Sequence, residues 1–144
     1  MAQKTLSATA TLDSAFTISM QAGNHTIYVD QPKNSGGQDM GPTPLQLVMA
    51  AVVGCFGTIG RIIAHQQKIS LRGMQFAIEA DYDPDGLMGR NDEVRPGFQA
   101  VRVRVDIDAD LSHEEKQQFL AEIERRCPLA DNLLHGTSLH SSVI

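Results

Sequence analysis

Tryptophan is absent from this 144-residue chain, and its aromatics are five Phe and two Tyr. So few rings exclude a stacking platform for bases or sugars. Positive charge is scarce too: 12 Lys and Arg stand against 17 Asp and Glu, for a net charge of −5. A nucleic-acid binder needs a basic face, so nucleic acid is not among the expected partners. The only cysteines are Cys55 and Cys127, too few for a disulfide-dense scaffold. The five His show no ligand spacing and there is no Cys-x-x-Cys, so no metal is expected. Gly-x-Gly-x-x-Gly, a P-loop and Gly-x-Ser-x-Gly are all missing, which leaves nucleotide cofactors and a serine triad without support. Met1–Ser7 lacks the apolar run of a signal peptide, and Ser141–Ile144 carries no lipidation motif. The uncharged apolar stretch Leu47–Ile59 falls short of the ~20 residues of a membrane span. It reads as a buried core helix. The expectation is a cytoplasmic protein, away from membranes, with both thiols reduced at rest.

What is present is enough for a core. Leu, Ile, Val and Phe make 36 of 144 residues, and the length suits a single domain over 1–144. Alternation over Thr5–Leu12 and at Phe16, Ile18 and Met20, with turns at Asp13-Ser14 and Gly23-Asn24 before His25–Val29, reads as a three-stranded meander. Gln31–Thr43 reads as a loop. Thr43 then caps a helix with Pro44 in its first turn, running to about Lys68. Gly54, Gly57 and Gly60 recur along it, each costing ~1 kcal/mol against Ala, and so imply close backbone contact with another element. Met74–Ala80 and Ala100–Ile107 alternate as strands around an irregular connection. Ser112 and Glu115 form a capping box for a helix with Phe119, Leu120 and Ile123 on its apolar face. Cys127-Pro128 opens a short helix closed by Gly136, and Ser138–Ile144 reads as a last strand. This order is an α+β layout.

Chemistry therefore rests on the two cysteines. Cys55, between Val53-Gly54 and Phe56-Gly57, reads first as a small core hydrophobe and only second as a reactive thiol. Cys127 stands at a helix start after Arg125 and Arg126, where free N–H groups and positive charge favour a thiolate.

The stretch Gly36-Gly37-Gln38-Asp39-Met40-Gly41-Pro42-Thr43-Pro44-Leu45-Gln46-Leu47 leads to Ala50–Cys55, and Arg126-Cys127-Pro128-Leu129-Ala130-Asp131 follows some seventy residues later. Together they resemble the OsmC/Ohr family, the osmotically inducible and organic-hydroperoxide-resistance proteins. The resemblance covers nearly the whole chain. It implies an OsmC-like fold, with curved antiparallel sheets around a long central helix, in an intertwined homodimer with its sites at the interface. It implies reduction of organic hydroperoxides by two cysteines without metal or cofactor, and a dithiol reductant. Cys55 would attack the peroxide and Cys127 would resolve the sulfenic acid. Phe56 and Met49 near Cys55 would favour alkyl hydroperoxides.

The match has departures. Family members carry a Glu just after the proline of the helix start, where this chain has Leu45 and then Gln46. They also carry an activating Arg in the N-terminal strands, whereas the first Arg here is Arg61. In these respects the chain resembles the OsmC-like branch. The departures keep open a second reading, a non-catalytic protein of the same fold that binds a small apolar or thiol-containing ligand at the dimer interface. Without its Arg, the Cys55 pKa is expected to lie high, with no helix N-terminus to help it.

Overall fold

The computed structural model describes residues 2–144; Met1 lies outside the described residues. The chain forms two compact units, 1–48 and 49–144. In the first, β1 (Thr9–Leu12), β2 (Ile18–Ala22) and β3 (His25–Val29) form an antiparallel sheet in the order β1-β2-β3. This is the expected meander, but β1 begins at Thr9 rather than Thr5, because the β2 register ends at the Thr9–Gln21 pair. After β3, Asp30 is 1 % exposed and organises the following loop. It accepts hydrogen bonds from the Thr17 hydroxyl at 2.8 Å and from the N–H groups of Gln31 at 2.8 Å and Met40 at 3.2 Å. Burial opposes its charge, yet these bonds and one from the Gln38 N–H hold its carboxyl below the ordinary value. Gly37 and Gly41 are required there, since a Cβ would run into the Gln31 or Tyr28 carbonyl.

The helix α1 (Pro44–Gln67) starts where Thr43 predicts. Thr43 and Gln46 cap it reciprocally: the Gln46 N–H donates to Thr43 Oγ1 at 3.3 Å, and the Thr43 N–H donates to Gln46 Oε1 at 3.0 Å.

In the second unit, β4 (Gly73–Asp81) and β5 (Ala100–Asp108) pair antiparallel in a two-stranded sheet. Their apolar residues meet on one face, with Met74 opposite Ile107, Phe76 opposite Val105 and Ile78 opposite Val103. On the other face Arg102 binds Asp81 through two hydrogen bonds. The connection opens with a short helix, α2 (Pro84–Leu87), capped by Asp83, within what the sequence marks only as irregular. Ser112 and Glu115 form the expected capping box on α3 (His113–Arg126), and α4 (Pro128–His135) follows directly. The core gathers Val52, Phe56, Ile63 and Ala64 of α1 with Leu71, Ile107, Phe119, Ile123, Cys127 and Ala130.

Two expectations are corrected. Ser138–Ile144 forms no strand: no described strand lies beside it to complete a ladder, and Leu139, Val143 and Ile144 are fully exposed. The three helix glycines are not alike either. A Cβ on Gly60 would meet Met74 Sδ at 2.9 Å and Ile123 Cδ1 at 3.2 Å, but one on Gly54 would meet nothing within 4 Å. Only Gly60 is demanded by packing inside this chain.

Candidate functional site

Both cysteines fall in the second unit, and the structure brings them together. Cys55 lies on the α1 turn beside core residue Phe56, and its side chain is partly buried against the core. Phe56 itself points into that core and is 6 % exposed, so it is not free to select an alkyl group. Cys127 occupies the junction of two helices. It ends α3, its N–H donating to the Glu124 carbonyl, and it is the N-cap of α4. Its sulfur accepts the Ala130 N–H at 3.4 Å, as a capping hydroxyl would. The Cys127 residue is 1 % exposed.

The two cysteines lie close together. Burial first, and then the neighbouring Cys127 sulfur, push the Cys55 thiol above its ordinary value. The backbone N–H of Leu129 lies near the Cys55 sulfur and pulls the other way. This donor corrects the expectation that Cys55 has no helix N-terminus near it. Leu129 and Ala130 both belong to the first turn of α4, so the exposed donors of one helix start serve both sulfurs. The sequence signal was the Pro128-Leu129-Ala130 helix start, which reveals free N–H groups but not that α1 lies against them.

No guanidinium is among the groups that act on Cys55. Arg125 is held by Glu122 through bonds of 2.8 and 2.7 Å. Arg126 donates to Gln66 at 2.9 Å and lies 3.8 Å from Glu122. Arg61 donates to the Leu71 carbonyl and Arg95 to the Phe98 carbonyl. The N-terminal strands supply no arginine, and Gln46 is occupied with the α1 cap.

A second feature lies on the other side of α1. Ala50, Val53, Gly54, Gly57, Ile62 and Phe76 line an open apolar groove of about 680 Å³, with Arg61 and Thr58 at its polar points.

The fold has counterparts. The OsmC like protein from Mycoplasma pneumoniae aligns over 93% of this chain and 90% of its own, at 18% identity and a TM-score of 0.79. An organic hydroperoxide resistance protein OsmC from Legionella pneumophila aligns over 94% and 93%, at 24% identity and a TM-score of 0.68. An organic hydroperoxide resistance protein from Elizabethkingia anophelis, with thiocyanate bound, aligns over 94% and 91%, at 21% identity and a TM-score of 0.68. These likenesses establish the fold. No curated protein matches the sequence. The family described as OsmC-like protein matches residues 36–142, a segment that holds the α1 cap and both thiols. On that match and the shared α+β fold, the chain belongs to the OsmC-like protein family.

Proposed function

We propose that this protein is a cysteine-dependent reductase of organic hydroperoxides, working as a homodimer in the cytoplasm, with Cys55 as the peroxidatic thiol and Cys127 as the resolving one. The observation that carries this reading is the pairing of the two thiols across α1 and α4. Cys55 is the more accessible of the two, which suits the thiol that meets substrate. The thiolate of Cys55 attacks the terminal peroxide oxygen. The O–O bond breaks, the alkoxide takes a proton and leaves as an alcohol, and Cys55 becomes a sulfenic acid. Cys127, as thiolate, attacks the Cys55 sulfur. An S–S bond forms, and the displaced hydroxide leaves as water with a second proton. An external dithiol restores both thiols by exchange. No resident metal or cofactor enters this cycle.

The homodimer and the single folding domain over 1–144 belong to the same proposal. The α1 helix is long and apolar, its most apolar 18-residue window having a mean hydropathy of 2.0 with only 28% of it buried. A second copy of the chain laid into the Gly54–Gly57 groove would cover that surface. Light scattering at low micromolar concentration should then give about twice 15.7 kDa.

A second reading, ligand binding without turnover, is favoured by the upward shift of the Cys55 thiol and the missing guanidinium. One experiment separates the two. Cys127→Ser protein treated with cumene hydroperoxide should accumulate a sulfenic acid on Cys55 that dimedone traps. A Cys55 that stays a thiol throughout would leave the binding reading standing.

A further inference from the structure

Two thiols that face each other have a chemistry besides oxidation. Soft thiolate ligands select Cu(I), zinc and iron–sulfur clusters, and ligand number decides among them. Structural zinc is closed by four side chains. Among the described residues no group of three or more His, Cys, Asp and Glu comes together. His135, on the same helix α4, faces Asp131 at 3.0 Å. A pair of sulfurs with no third ligand matches the two-coordinate, linear preference of a soft monovalent d10 ion.

We propose that the reduced Cys55–Cys127 pair is a binding site for Cu(I), held between the two sulfurs at the start of α4. Binding replaces two S–H protons with one cation, so two protons leave and the bis-thiolate complex carries one net negative charge. The site is built for that charge. The Ala130 N–H already points at the Cys127 sulfur at 3.4 Å, and the Leu129 N–H of the same helix start lies near that of Cys55. Both donors lie at the positive end of an eight-residue helix, where anions are favoured. Burial supports the assignment as well. Cys127 is enclosed by the core, which shields one side of the ion from water, and partly exposed Cys55 provides the way in. Rotation of the Cys55 side chain makes room for the ion. The inference uses the same sulfurs as the proposed redox cycle but none of its steps.

The test is an anaerobic titration of the fully reduced protein with Cu(I), supplied as its acetonitrile complex against a chromogenic Cu(I) chelator. One ion per chain is expected. Affinity should fall by ~100-fold or more in Cys55→Ser and in Cys127→Ser, because each removes one of two linked ligands. Serine is itself a good N-cap, so the Cys127 variant keeps the α4 start. In the unmodified protein, one equivalent of Cu(I) should protect both thiols from iodoacetamide together. Binding of equal strength in either single variant, or an ion that leaves one thiol freely alkylated, overturns the proposal. If peroxide still removes both thiols while Cu(I) fails to bind, the metal site is refuted and the redox reading stands. If Cu(I) binds as described and peroxide leaves the thiols intact, the metal site stands without the peroxidase.

Discussion

Ile62 and Ile63 are adjacent and identical in type, yet Ile62 is 40% exposed and Ile63 is completely buried. They mark two faces of α1. One carries Val52, Phe56, Ile63 and Ala64 into the core and holds Cys55 against it. The other carries Ala50, Val53, Gly54, Gly57 and Ile62 along an open apolar groove. The core face seats Phe56 and Ile63 in the core, with Gly60 close against Met74 and Ile123. The groove face includes two glycines, which let a second backbone approach closely. The two faces therefore differ in what covers them: one lies against the core, and the other lines an open groove.

The comparison is most sharply probed by truncating each isoleucine. Ile63→Ala should cost ~2–5 kcal/mol of stability, as buried aliphatic truncations do. Ile62→Ala should cost far less in a dissociated chain. In a dimer it should weaken association, making the melting temperature depend on protein concentration. Denaturant melts at two concentrations read both effects. Equal losses from the two variants, independent of concentration, would remove the distinction between the faces.

Smaller effects are expected at the glycines. Gly60→Ala puts a methyl group against Met74 and Ile123, a crowding cost of ~1–3 kcal/mol that a helix-propensity gain of ~1 kcal/mol only partly offsets. Gly54→Ala meets nothing within its own chain and should raise the stability of an isolated protomer by ~1 kcal/mol. If a partner helix lies in the groove, the same change should lower stability and shift the light-scattering mass towards the monomer. The sign of the Gly54→Ala effect thus reports whether the groove is covered.

The smallest effect is one of pH. The folded chain holds the Cys55 proton more tightly than the unfolded chain does, through burial and the Cys127 sulfur. The Cys55 contribution to stability is therefore fully present below the ordinary thiol pKa. It is lost as the pH rises from there through the raised folded value. Iodoacetamide labelling of Cys55 should accelerate continuously between pH 7 and 9. In Cys127→Ser the midpoint should move down, since one of the two upward causes is gone while burial remains. A labelling rate that levels off below pH 7 would show that a cation not seen at the site activates the thiol.

Much of this arrangement is legible from sequence where the determinants are local. Thr43-Pro44, Ser112 with Glu115, and Cys127-Pro128 each mark a helix start that the structure reproduces, because a cap is set by residues three apart. The alternation in Met74–Ala80 and Ala100–Ile107 marks the inward face of β4 and β5, because each strand lies against the core on one side only. Non-local features are not legible in this way. Alternation alone would start β1 at Thr5 and make a strand of Ser138–Ile144, but a strand also needs a neighbour, and neither segment's extra residues have one. The meeting of Cys55 with Cys127 depends on how α1 packs on α4. From sequence it came only through resemblance to a family, not from any spacing. The nearness of the Leu129 N–H to Cys55 follows from the same packing; the sequence marks only the helix start that leaves that N–H free.

The most direct test of the redox pair is a peptide map of the unmodified protein under non-reducing conditions after one equivalent of cumene hydroperoxide. The account predicts loss of both thiols and one new cross-linked species, joining the Cys55 and Cys127 peptides of the same chain. Both thiols still free after prolonged treatment, or a cross-link only between Cys55 residues of two chains, would contradict it.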